Sequence, residues 1–404
     1  MFLGIDIGTS SVKAVLLDET DAVVAQTSAP LQVSRPQPGY SEQDPREWWR
    51  ASVAAVRGLP AAPRAAVRAV GLSGQMHGAT LLDRHDRPLR TAILWNDGRS
   101  MRECRELEAR EPRAQMPRLV EGSRPSATLS AAAAAELQLS RVVVAGGAGD
   151  NAASAAGMGV ISPGQAFLSL GTSGVLFIVT DQFRPNPDRG AHAFCHCLPE
   201  RWHQMSVMLS AASALDWVAQ LTAQTDLVRL AQAAESRGLQ RHSPIFLPYL
   251  NGERTPHNDP YCRGMFFGLS ADTTPADLAA AVMEGVAFAF ADGLEVLLEK
   301  GGTVGDISVT GGGARLPYWG KLLAAALQRP LTYRRNSEIG AALGAARLGR
   351  LALSGERPET VCTAPAMEQV VRPDPELAAL LAMRRPLFVR LYQELKASFL
   401  EHSA

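Results

Sequence analysis

Two short stretches pair glycine with hydroxyl side chains: Gly8-Thr9-Ser10 and Gly171-Thr172-Ser173. A tight turn containing glycine presents backbone N–H groups, and neighbouring hydroxyls add donors. Together they can cradle phosphate oxygens without a cation. A single such turn reads as an ordinary hairpin, whereas two in matching contexts favour phosphate handling. No G-x-x-x-x-G-K-[ST] run occurs, so the chemistry is not that of a P-loop. Lys13 lies beyond the first turn, on the following strand, poorly placed to reach a phosphate. Two acids at element ends, Asp6 and Asp150, suit the rest of a phosphoryl transfer. One carboxylate can help to hold Mg2+, which accepts one or two carboxylates together with waters. Another can accept the proton of an attacking hydroxyl. Asp150 also stands just before a helix, where an N-cap role explains an aspartate about as well.

Other segments carry weaker signals. Gly74-Gln75-Met76-His77-Gly78 follows an apolar strand, and His77 can bind a hydroxylated ligand, although a loop histidine is more often merely solvated. Trp95-Asn96-Asp97-Gly98-Arg99 joins an indole face to an amide, a carboxylate and a guanidinium, a palette for carbohydrate. A turn with the indole in the core explains it equally well. Gly311-Gly312-Gly313-Ala314 ends a strand and lets backbone approach a flat base or ribose. Cys195-His196-Cys197 with His192 matches no zinc spacing and reads as strand.

These residues sit on a repeating framework. GIDIGTSSVKAVLLD (residues 4–18) matches FLSLGTSGVLFIVTD (167–181) as strand, turn and strand. AVGLSGQMHG (69–78) parallels ISVTGGGARL (307–316), a strand ending in glycine. The small-residue helix openings GDNAASAAG (149–157) and IGAALGAARLG (339–349) form a third pair. Amphipathic helices at 45–58 and 275–300 form a weaker fourth. The period is too long for a solenoid and implies two similar α/β domains facing a central cleft, where ligands bind at strand ends. The boundary falls near Ser162-Pro163-Gly164, giving domains 1–162 and 163–404. Residues 183–189 and 364–375 read as loops, and a final amphipathic helix ends near Leu400. The repeat permits a subtraction. Setting Gly8 on Gly171 places Asp6 against Ser169, and setting Ala152 on Ala341 places Asp150 against Ile339. The first half therefore has two acids where the second has none, which favours catalysis over capping.

Composition excludes several classes. Forty basic and forty acidic side chains in 404 residues give zero net charge, against a nucleic-acid binder with its basic stripe. Lysine occurs only at Lys13, Lys300, Lys321 and Lys396, so a phosphate site has few lysines to use. The start MFLGIDIGTSSVK lacks the pattern of a signal peptide. The uncharged stretch 151–180 is broken by glycines and Pro163 and reads as helix, turn and strand, not a membrane span. Five scattered cysteines point to thiols in a reducing cytoplasm.

Taken together, GIDIGTSSVKAVLLD, the second GTSG, GQMHGATLLD, ILWNDGR, AGGAGDNAASAAG, PYLNGERTPH (248–257) and TGGGAR resemble the FGGY carbohydrate kinases along nearly the whole chain. SEQDP (41–45) and GQMHG are closest to the members that phosphorylate D-xylulose. The resemblance implies a duplicated, actin-like ATPase (ribonuclease H-like) fold and the reaction ATP + D-xylulose → ADP + D-xylulose 5-phosphate, with Mg2+. It implies Asp150 as general base and Asp6 acting on Mg2+ and the transferring phosphoryl. Met76, His77, Asp150 and Asn151 would contact the sugar, with Trp95 beside them. Thr9, Ser10, Gly171, Thr172 and Ser173 would line the phosphate path, and Gly312, Gly313 and Ala314 would underlie the nucleoside. Sugar-dependent closure of the two domains is expected because it would bring nucleotide and sugar together and exclude water, and a homodimer is a family expectation. PYLNGERTPH receives no role. Ribulose, glycerol or another polyol are alternative acceptors, and a non-catalytic sugar or nucleotide sensor is a reading of another class.

One departure matters. Members of the family are longer by several tens of residues between the Trp95–Arg99 region and the Arg141–Asp150 region. Here LEAREP (107–112) runs directly into RAQMPRLVEGS (113–123). The expected Lys-Leu-x-Trp helix is not found: either the residues that form it are absent from this sequence, or the chain has lost them, which would leave part of the first sheet's apolar face uncovered and could impair the protein.

Overall fold

A computed structural model of the chain describes residues 1–37, 40–95, 97, 99 and 119–403. The Pro112–Arg113 junction, Cys104, Asn96 and Gly98 lie outside the described residues. The chain forms two compact units: Met1–Ile161 with His196–Glu200 and Ile339–Ala364, and Ser162–Cys195 with Arg201–Glu338 and Pro365–Ala404.

The first unit is built on a seven-stranded sheet. The apolar run before the first Gly-Thr-Ser turn forms the strand Phe2–Ile7, and the run after it forms Ser11–Leu17, paired antiparallel with Asp6 opposite Lys13. Val23–Pro30 extends this meander. On its other side Phe2–Ile7 runs parallel to Ala69–Gly74, which sets Asp6 beside Ser73, and Val143–Ala145 continues the parallel order. The helix Pro45–Gly58 begins at an Asp44 N-cap followed by proline, whose missing N–H costs nothing there. It turns Ala51, Ala55 and Val56 inward.

The second unit repeats the scheme. Ala166–Leu170 pairs antiparallel with Gly174–Thr180 and parallel with Ile307–Thr310, so Ser169 stands beside Thr310 as Asp6 stands beside Ser73. Leu331–Arg334 follows in parallel. The stretch 151–180 is a helix and two strands as its glycines require, and among the described residues no helix is long and apolar enough to cross a membrane. The long helix Pro275–Leu298 opens with a reciprocal Thr274–Asp277 capping box and is buried on nearly every side.

Three local expectations are corrected. Residues 364–375 are not all loop: Met367–Val371 forms a strand on Leu331–Arg334, because its Val370-Val371 end offers β-branched residues to an open sheet edge. Residues 183–189 include a short helical turn, Pro187–Arg189. Cys195-His196-Cys197 is not continuous strand. The strand His192–Cys195 ends at the first cysteine, and the chain then passes into the other unit, where Cys197 donates its thiol to Ala152 O.

The alanine- and glycine-rich helix Gly340–Ser354 packs in the first unit at backbone distance. A Cβ on Gly71 would lie 1.6 Å from Ala345 O, and one on Gly344 would lie 1.8 Å from Ala153 O. The helix therefore touches both the sheet and the Asp150–Met158 helix with no side chain between. Arg347, buried within it, donates to Ala156 O (2.9 Å) and Gly157 O (2.8 Å) and pairs with Asp21. A cation thus meets the carbonyl end of the Asp150 helix, where the helix dipole favours it. Gly71→Ala is expected to destabilise the first unit by about 3 kcal/mol, since the clash is with backbone and cannot be relieved by a rotamer. An unchanged urea midpoint would contradict this packing.

Candidate active site

Asp6 ends its strand inside the first unit at 8% exposure and accepts a hydrogen bond from Ser73 Oγ (3.0 Å). Burial raises its carboxyl above the usual range, opposed by Ser73 and by the charge of Lys13 on the adjoining strand. Asp150 opens the helix Asp150–Met158, but it is not the N-cap. Gly149 holds that position, with no side-chain cap. The Asp150 carboxylate accepts instead from Asn151 N (2.7 Å) and Asn151 Nδ2 (2.9 Å). Burial and then the charge of Asp6 push it up to about 6. The two acids singled out by the repeat therefore feel one another, and one is poised to titrate near neutrality.

Met76 lies against this helix start: a Cβ on Gly149 would meet Met76 Sδ at 2.3 Å. His77 is exposed and has a left-handed backbone (φ 68°), a conformation that bulky residues adopt mainly where a turn or a site demands it. The recognition palette at 95–99 is only partly available. Arg99 pairs with Asp97 (2.6 Å) and Glu42 (2.5 Å) and covers the Tyr40 ring, and Asp97 accepts from Ser41 N. These charges brace SEQDP against the loop. Trp95 points its Nε1–H at Thr9 Oγ1 (3.4 Å).

A polar network around Thr9 involves residues whose roles the sequence did not disclose. Trp48 Nε1 donates to Gln43 Oε1 (2.9 Å). An indole nitrogen only donates, so the Gln43 orientation follows, and its Nε2 donates to Thr9 O (2.7 Å). Gln75 Nε2 donates to the same Gln43 Oε1 (2.8 Å), which leaves Gln75 Oε1 to accept from the Thr9 hydroxyl (3.0 Å). The Thr9 proton is thus committed inward. Of the two hydroxyls in the first turn, the exposed Ser10 is the one suited to a phosphate. Gln43 and Gln75 lie inside SEQDP and GQMHG, so the motifs marked the region, but only the donor-only indole reveals their wiring.

In the second unit, Gly171-Thr172-Ser173 and Gly311-Gly312-Gly313 adjoin. A Cβ on Gly311 (φ 94°) would lie 2.5 Å from Leu170 C, whereas one on Gly312 would meet nothing within 4 Å. The triple glycine thus combines an obligatory close approach with an open face beside the turn, and Ala314 packs partly buried behind it. Among the described residues no three His, Cys, Asp or Glu side chains gather as a metal cage. Gln75→Glu would set a carboxylate oxygen against Gln43 Oε1 and is expected to cost about 1–3 kcal/mol at neutral pH. That deficit should shrink at about pH 4, where a glutamic acid proton can donate again. Equal deficits at both pH values would refute the assigned polarity.

The sequence of residues 1–114 matches the model of the N-terminal domain of the FGGY family of carbohydrate kinases, and 166–353 that of its C-terminal domain. The xylulose kinase of Escherichia coli (strain K12) is 40% identical, covering 98% of this chain and 99% of that protein. That alignment runs over 480 positions against 404 residues here, so at least 76 positions have no counterpart in this chain. Among solved structures, the xyloylose kinase of Brucella ovis superposes with TM-score 0.89 at 40% identity, covering 98% of this chain and 99% of its own. The xylulose kinase of Rhodospirillum rubrum gives TM-score 0.84 at 25% identity, with the same coverage. The fold is the actin-like one that the duplicated sheets describe, and the chain belongs to the FGGY family of carbohydrate kinases, enzymes that phosphorylate sugars with ATP.

Proposed function

We propose that the chain transfers the γ-phosphoryl group of ATP to the primary hydroxyl of D-xylulose, giving D-xylulose 5-phosphate and ADP. The carrying observation is the coupled carboxylate pair, Asp6 and Asp150, with Asp150 raised to about 6. Asp150 takes the hydroxyl proton as the new O–P bond forms and the bond to ADP breaks. Its raised affinity for a proton makes it a better base than an ordinary aspartate while leaving it ionised at pH 7. Asp6 suits Mg2+: its hard oxygen ligands fit the ion, and Mg2+ needs only one or two carboxylates beside waters and phosphates. The ion would offset phosphate charge. The first domain (1–162) forms the sugar and catalytic side, with Met76, His77, Asn151 and Trp95 around the sugar and Ser10 on the phosphate path. The second (163–404, apart from His196–Glu200 and Ile339–Ala364, which fold with the first unit) forms the nucleotide side, with Gly171, Thr172 and Ser173 at the phosphates and Gly312, Gly313 and Ala314 below the nucleoside. The cytoplasm supplies ATP to such an enzyme.

A second reading, a sugar or nucleotide sensor with impaired turnover, is favoured by one observation. The alignment leaves at least 76 of its 480 positions without a counterpart among the 404 residues here. We place the missing segment near Pro112–Arg113, close to where the N-terminal family match ends at residue 114.

Turnover assays over D-xylulose, ribulose and glycerol separate these readings; binding of D-xylulose without turnover supports the sensor. Asp150→Asn is expected to lower kcat by a factor of about 100 to 10,000 while D-xylulose still binds. Unchanged turnover in Asp150→Ala would sink the base assignment. Because only ionised Asp150 accepts the proton, kcat/KM should fall as pH drops through about 6. Residual activity of Asp6→Asn should show that limb at lower pH, since the neighbouring negative charge is gone.

A further inference from the structure

PYLNGERTPH holds a buried carboxylate that the proposed reaction does not use. Glu253 is 2% exposed, and its Oε1 accepts from Leu209 N (2.9 Å) and Arg254 N (2.8 Å). Its Oε2 is buried without a hydrogen-bond partner, and burial pushes the carboxyl up to about 8. Neighbours at alternate positions face the same strip of chain, as in an extended strand. Asn251 Nδ2 donates to Ser210 Oγ (3.3 Å), while Thr255 exchanges bonds with Val207, accepting from its N at 3.0 Å and donating to its O at 3.1 Å. The motif therefore fastens residues 207, 209 and 210 in turn.

That strip leads into the helix Ala212–Leu221, which has no side-chain cap. Its first N–H groups are taken up by the second phosphate turn. Ala211 N donates to Thr172 O (3.0 Å) and Ala212 N to Gly171 O (2.8 Å), and Ser213 Oγ donates to Thr172 O (2.7 Å). The turn is the cap that the helix lacks. In a trans peptide the C=O and N–H point in opposite directions. Fixing the Gly171 and Thr172 carbonyls toward the helix therefore aims the Thr172 and Ser173 N–H groups away from it.

We propose that Glu253 is a positioning residue for nucleotide binding: with Asn251 it holds the 207–213 strap, which orients the Thr172 and Ser173 N–H groups toward the nucleotide phosphates. This rests on the reading of the second unit as the nucleotide side. Calorimetric titration with ADP and, separately, D-xylulose tests it whether or not the enzyme turns over. Glu253→Ala should weaken ADP binding about tenfold, the scale of two buried N–H groups left without their acceptor, and leave D-xylulose binding unchanged. Glu253→Gln retains a carbonyl acceptor for both N–H groups and should recover ADP affinity to within about threefold. Asn251→Ala should weaken ADP binding several-fold, and it decides the matter if Glu253→Ala does not fold. A lowered melting temperature with unchanged ADP affinity would mean a purely structural carboxylate and overturn the proposal. Gly312→Leu projects into open space and controls for the underlying reading. If it leaves ADP affinity intact, the nucleotide-side reading fails and the proposal with it. If it weakens ADP while the Glu253 and Asn251 variants do not, the proposal alone fails.

Discussion

Backbone-to-backbone contact along the Gly340–Ser354 helix is the constraint on which the first unit depends. Gly71 and Gly344 leave no room for a Cβ, so sheet, crossing helix and Asp150 helix meet without intervening side chains. Side-chain layers have slack, because rotamers can shift; contacts between main chains do not. The end of the Asp6 strand and the start of the Asp150 helix are therefore set against one rigid body. Buried Arg347 adds a polar lock by binding the last carbonyls of the Asp150 helix and Asp21 together. Proton transfer and charge stabilisation depend steeply on distance, so a scaffold without slack suits the roles proposed for the two carboxylates.

A comparable economy governs the polar groups. The Trp48 indole can only donate, and from it follow the orientations of Gln43, Gln75 and Thr9. The second unit solves the same problem with main chain: the Thr172 turn caps a helix and is braced in return. In both turns one set of polar atoms is consumed inward, which fixes where the remaining donors point. Preorganisation of this kind spares the site the cost of ordering donors when an anion arrives.

The repeat was legible in the sequence because strand, turn and glycine patterns are short-range. The Asp6–Ser169 subtraction worked because both residues sit at the same register, beside Ser73 and Thr310. What the sequence hid is non-local. Asp150 read equally well as an N-cap; only the structure shows Gly149 in that place and the carboxylate held by Asn151. The charges of Asp97 and Arg99 read as a binding palette because nothing in the sequence shows Glu42 and Tyr40 folding back upon them. Met367–Val371 was hidden among prolines, since an edge strand draws half its bonding from a partner remote in sequence. PYLNGERTPH was visible as a motif and silent as to role, because its partners lie some forty residues earlier in the chain.

The cation count acquires a physical meaning here. Lysine is confined to four positions, and the arginines most deeply buried serve carbonyls and carboxylates of the fold. Arg347 closes a helix end, and Arg384 pairs with Glu284 while binding the carbonyls of Gln240, Arg241, Ser243 and Pro244. Neither is free to meet a phosphate without leaving buried acceptors unpaired, which costs more than a surface ion pair returns. The phosphate contacts proposed for the two turns would accordingly draw on N–H and hydroxyl dipoles and not on these two arginines. Dipoles orient an anion well but neutralise little of its charge. On the proposed reading the counter-charge would arrive with the nucleotide, as the divalent cation that accompanies a triphosphate.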